Sequence, residues 1–162
     1  MSKQKYDSFT LSLALFDALP VIFFSTGILL IATKFTNPGF VIGAFLCSAA
    51  GCLKVLWKII LAGCKKDISI LNRQLRFLMP VGFLLLIVGV ISGRKNSALL
   101  SILQSALQFP SILFFIITLI GMVFMSIFAF KLDGTKARSN WIEQITNTIA
   151  QGCFLLGIIF CL

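Results

Sequence analysis

Four charged residues stand inside stretches that are otherwise apolar: Asp17, Lys54, Lys58 and Glu143. Charge near the middle of a bilayer costs about 2.5–3.5 kcal/mol per residue on insertion scales, so such residues are expected to pair or to serve a solute. The expected pairs are Asp17 with Lys54, and Glu143 with Lys58 or with a ligand. Around Glu143 the chain reads Asn140-Trp-Ile-Glu-Gln-Ile-Thr-Asn-Thr-Ile-Ala-Gln151. Asn140, Glu143 or Gln144, Asn147 and Gln151 step down one helical face, with Thr148 beside them. Asp17 lies one turn before Pro20, where the helical hydrogen-bond ladder is interrupted, an arrangement common at membrane binding sites. Carboxylate, ammonium and amide groups in one layer can hold a small polar solute. The plainer reading is that Asp17 and Lys54 only fix helix register while Lys58 and Glu143 reach for the headgroups.

Other chemistries fare worse. The chain has no histidine, hence neither the commonest proton shuttle nor the commonest metal ligand. Its five cysteines, at 47, 52, 64, 153 and 161, form no C-x-x-C pair and no metal-ligand spacing. A cysteine nucleophile would lack its base, and thiol oxidoreduction would lack its pair. Asp17 and Glu143 each have a lysine as a nearer expected neighbour than each other. An enzyme is therefore not expected, nor a cofactor or metal.

The elements that must position these groups are membrane helices. Of 162 residues, 59% are hydrophobic and 12% charged. Soluble domains carry about 25% charge. The reading is an all-α, polytopic membrane bundle in one domain. Spans are expected at about 9–33, 39–63, 77–92, 111–130 and 142–162, with a short amphipathic helix at about 97–109. The basic start and long apolar run of the first span read as an uncleaved helix, not a signal peptide. Asn37-Pro38-Gly39 breaks the first span from the second, and Asp133-Gly134 is the expected turn before the fifth. Asp67 is the expected cap of a helical entry into the third span, which Pro80 bends. Ser97, Ser101, Gln104, Ser105 and Gln108 form one polar stripe, which is expected to place the 97–109 helix at the outer surface, the alternative being an extension of the fourth span that lines a cavity. The fourth span, rich in Phe and Ile and without charge, is the one expected to face lipid.

The second span is the expected centre. Gly39, Gly43, Cys47 and Gly51 recur every fourth residue and give one face of small residues, on which helices approach closely in lipid. Lys54 and Lys58 continue that face. Orientation follows from the basic residues. With the N-terminus inside, cytoplasmic segments hold Lys3, Lys5, Lys65, Lys66, Arg73, Arg76, Lys131, Lys136 and Arg138, while outer loops hold Lys34, Arg94 and Lys95. The C-terminus is then outside. This bias accounts for the net charge of +9 without nucleic acid. Counted from the cytoplasmic ends of their spans at about 1.5 Å per residue, Asp17, Lys54, Lys58, Glu143 and Asn147 share one layer.

Two functions fit. One is a binding or transport module whose polar pocket faces the cytoplasm, its lysines favouring an anionic or polar solute. The other is an accessory or regulatory membrane subunit acting through helix–helix contacts. The expected partners are the lipid bilayer and a second copy or larger membrane complex. A bacterial-type inner membrane suits the short loops.

Overall fold

The computed structural model describes residues 11–64, 68–132 and 137–162. Among these the chain is helical and contains no strand. Eight helices follow in order: α1 (Leu11–Phe16), α2 (Ala18–Lys34), α3 (Pro38–Cys64), α4 (Ser69–Arg73), α5 (Leu75–Ser92), α6 (Ser97–Ala106), α7 (Ser111–Lys131) and α8 (Ala137–Cys161). Five stretches are long and apolar enough to cross a bilayer: Leu11–Lys34, Pro38–Cys64, Ser69–Ser92, Ser111–Phe128 and Arg138–Cys161. This is the make-up of a membrane protein. Such runs become helices because lipid offers no partner for backbone N–H and C=O groups.

The helix ends have local causes. Asn37 accepts the Phe40 N–H on its side chain (3.3 Å), and Pro38 occupies the first helical position, where its missing N–H costs nothing. The Asn37 amide also donates to Ser92 Oγ at 3.2 Å, tying the start of α3 to the end of α5. Asn96 caps α6 by accepting the Ala98 N–H at 2.9 Å. The third span begins earlier than the sequence implied: α4 and α5 together form the apolar stretch Ser69–Ser92, with Pro80 inside α5. The fifth also begins earlier, at Ala137. The amphipathic helix is shorter, ending at Ala106. The expected cap at Asp67 and the turn at Asp133-Gly134 lie outside the described residues.

Packing is principally between α5 and α3, α3 and α2, α2 and α8, and α8 and α7. α3 and α5 are antiparallel and pack backbone to backbone. A Cβ built on Gly43 would stand 2.7 Å from the Gly82 carbonyl oxygen, and one on Gly82 would stand 2.5 Å from Cys47 Sγ. Gly39 faces Gly89. Gly51 turns instead to α2, against Val21. The small-residue face is thus occupied within the chain, by α5 along Gly39–Cys47 and by α2 at Gly51.

α2 and α8 run parallel, since Phe16 meets Trp141, Phe24 stacks on Phe154 and Gly27 meets Ile158. α7 runs antiparallel to α8, with Gly121 against Ala150 and Phe114 stacked on Phe160. The starts of α1 and α8 therefore share one end of the bundle with the close of α3. At the other end Ile28, Ala32, Phe35, Phe40, Ala44, Cys47 and Leu86 form the main apolar core. Leu99 of α6 joins that core, so α6 covers the end of the bundle and does not only lie at its surface. On α7 Leu119, Val123 and Phe124 are exposed, as a lipid-facing helix requires.

Candidate functional site

Asp17 sits between α1 and α2, in helical conformation, with its N–H bonded to the Leu13 carbonyl at 3.0 Å. Pro20 lacks an N–H, so the Phe16 carbonyl one turn earlier loses its usual donor. The backbone around the carboxylate is therefore more polar than in an unbroken helix. The carboxylate meets the Lys58 ammonium at 2.5 Å, with only 10% of the Asp17 side chain and 14% of the Lys58 side chain exposed. This corrects the expected Asp17–Lys54 pair by one helical turn. With Val21 against Gly51, the antiparallel helices bring Asp17 level with about position 55, between the two lysines, and it is the Lys58 ammonium that meets the carboxylate. Lys54 instead places its ammonium 4.3 Å from the centre of the Trp57 ring, a cation–π contact.

Glu143, on α8, lies within the electrostatic field of Lys58. The ammonium of Lys58 is therefore paired to one carboxylate and felt by a second. The Lys58 ammonium is turned toward Asp17 at the α1–α2 junction. The N-terminal half of α8 is fixed beside α1 by the Phe16–Trp141 ring contact at 5.4 Å. Asn140 and Ser139 are buried there.

Not all of the polar face is satisfied. Among the described residues, Asn140 Nδ2, Gln144 Oε1 and Ser25 Oγ are closed to solvent and have no hydrogen-bond partner. A buried polar group left so costs about 1–3 kcal/mol, and natural structures rarely tolerate it without cause. Gln74 is similarly half-satisfied: its Nε2 donates to the Ala50 carbonyl at 3.1 Å while its Oε1 has no partner. Deeper along α8, Thr148 donates to the Gln144 carbonyl (2.7 Å), and Gln151 contacts Met122 Sδ of α7 at 3.6 Å. Asn147 is partly buried on the same helix. Asp17 and Lys58 thus come together, and Glu143 lies within the field of that lysine, with Asn140 and Gln144 on its helix. Gln151 is directed to α7, and Gly39, Gly43, Cys47 and Gly51 belong to helix packing away from the charges.

Two contributors escaped the sequence. Ser25 shares a face with Asp17 and Val21, at steps of four, and that spacing was the available signal. Trp57 holds Lys54 from one turn away, a contact that i and i+3 spacing permits. Among the described residues no group of three or more His, Cys, Asp or Glu could hold a metal ion. No protein family, curated protein or solved structure matches the chain.

Proposed function

We propose that this is a small multi-pass membrane protein that binds, and moves, a polar solute through a pocket open at its basic, cytoplasmic end. The observation that carries the reading is the Asp17–Lys58 ion pair within apolar spans, with Glu143 in the field of the same lysine. A pair kept only for register needs one carboxylate, not two. The unpartnered amides of Asn140 and Gln144 support the same reading, because a solute would supply what they lack. An N-terminus inside and a C-terminus outside is the proposed orientation, on the distribution of the basic residues. A cell membrane of bacterial inner-membrane type is the proposed setting.

The test is mass spectrometry of protein extracted in native lipid. A small solute bound by the wild type and lost from Glu143→Gln supports the pocket. Lipid alone in both sinks it.

A second reading, an accessory subunit working by helix contact, is favoured by the exposed apolar residues of α7. Its contact surface would not be the Gly39–Gly51 face, which α5 and α2 already cover. A stoichiometric protein partner in the same experiment, displaced by Leu119→Trp, would support it.

A further inference from the structure

We infer that the solute is a small amine, bound as its ammonium ion beside Glu143 and Gln144; this rests on the pocket reading above. The lysines of the second span had pointed to an anion, but their placement turns the argument round. Lys58, at 2.5 Å from Asp17, already has a carboxylate at contact distance. Lys54 lies over the Trp57 ring. Glu143 therefore shares a cation that another acid holds, and a further positive group beside it would offset the cost of burying its charge. Gln144, the next residue, offers a buried acceptor, Oε1, with no donor. An ammonium has N–H donors for both.

Asn140 adds a second specification. It is 8% exposed and its Nδ2 donor has no acceptor. Asn140 and Gln144 stand one turn apart on α8, about 5–6 Å between Cβ atoms. A small amine carrying a hydroxyl or carbonyl oxygen spans that distance, its nitrogen toward Glu143 and Gln144 and its oxygen toward Asn140. The charged groups nearby are Asp17 from the α1–α2 junction, Lys54 and Lys58 from α3, and Arg138 from α8 itself, which is exposed.

The chain's two tryptophans flank the site, Trp57 one residue before Lys58 and Trp141 next to Asn140, so binding can be read by intrinsic fluorescence. The probes are ethanolamine, sodium and inorganic phosphate, each titrated into wild-type protein in lipid nanodiscs. Ethanolamine is expected to change the tryptophan emission saturably and to raise the melting temperature. Glu143→Gln should weaken that binding at least tenfold, Gln144→Leu more modestly, and Glu143→Asp should retain part of it. Lys54→Ala should leave it in place. Sodium binding as tightly as ethanolamine overturns the amine. Saturable phosphate binding without ethanolamine binding overturns the cation and leaves the pocket standing. Binding of none of the three removes both pocket and amine. If Glu143→Gln does not fold, Gln144→Leu decides: unchanged ethanolamine affinity there counts against the site.

Discussion

Gly43 lies so close to the backbone of Gly82 that any side chain on it would meet a carbonyl oxygen at 2.7 Å and the Leu86 amide nitrogen at 2.8 Å. Both obstacles are main-chain atoms of a neighbouring helix and cannot rotate aside. Gly43→Ala is therefore expected to push α3 and α5 apart and cost about 1–3 kcal/mol, the usual range for overpacking. Gly63, near the end of the same helix, has nothing within 4 Å of its Cβ position. Gly63→Ala should leave the melting temperature unchanged or slightly raised. Thermal unfolding of both variants in the same detergent checks the contrast; equal losses would contradict the close approach.

Breaking the ion pair from one side should be worse than removing it. Asp17→Asn leaves the Lys58 ammonium without its contact partner in an apolar layer, and losing one partner of a buried pair costs about 3–5 kcal/mol. The double variant Asp17→Leu with Lys58→Met should regain much of that loss. Melting temperatures of the single and double variants measure the coupling. A double variant as unstable as the sum of its parts would mean that the pair contributes nothing.

Thr118 makes a hydroxyl link between α7 and α8. Its hydroxyl is shared between the Phe114 carbonyl of its own helix at 2.9 Å and the Ala150 carbonyl across the interface at 3.1 Å. Thr118→Val keeps the shape and removes the donor. The expected loss is small, about 0.6 kcal/mol, the mean for interhelical hydrogen bonds in a membrane protein. A drop of several kcal/mol in denaturant titration would show the link to be stronger than such bonds usually are.

The outward surface of α7 should tolerate size changes and reject charge. Leu119 is 67% exposed and Val123 58%. Leu119→Ala is expected to melt like the wild type, since it loses no protein contact of consequence. Leu119→Lys should reduce insertion, at a cost of about 2.5–3.5 kcal/mol if the residue lies near the bilayer centre. The amount of protein in the membrane fraction reads this directly. Normal insertion of Leu119→Lys would place α7 against water or protein.

How far the sequence carried depended on whether a feature was local. The second span, read as 39–63, is Pro38–Cys64, and the fourth, read as 111–130, is Ser111–Lys131. Run length and the Asn37-Pro38-Gly39 breaker fix those ends within a residue or so. The fifth span starts earlier than hydropathy implies, at Ala137, because polar side chains at a bundle end do not interrupt a helix. The partner of Asp17 is beyond the sequence for a different reason. Lys54 and Lys58 share one face of α3, so periodicity cannot choose between them. The choice is made by where the two ammonium groups turn in the packed structure, Lys58 to Asp17 and Lys54 to the Trp57 ring, and that is a tertiary quantity. The unpartnered atoms of Asn140, Gln144 and Ser25 were equally out of reach, because satisfaction depends on what other helices bring near.

The position of α8 between α2 and α7 has a consequence for assembly. The last helix of the described chain holds the two halves of the bundle together, through Phe24–Phe154 on one side and Gly121–Ala150 on the other. During synthesis α2, α3 and α5 can meet as they emerge, because α3 contacts both of the others. α7 must wait in the bilayer with its main interface empty until α8 follows. The ionic layer is completed at that same late step, since Glu143 arrives with α8. Interrupting the chain before residue 137 would leave a three-span unit containing Asp17 and Lys58, and an α7 without its main interface. The order of translation thus makes the final helix both the structural keystone and the last supplier of charge.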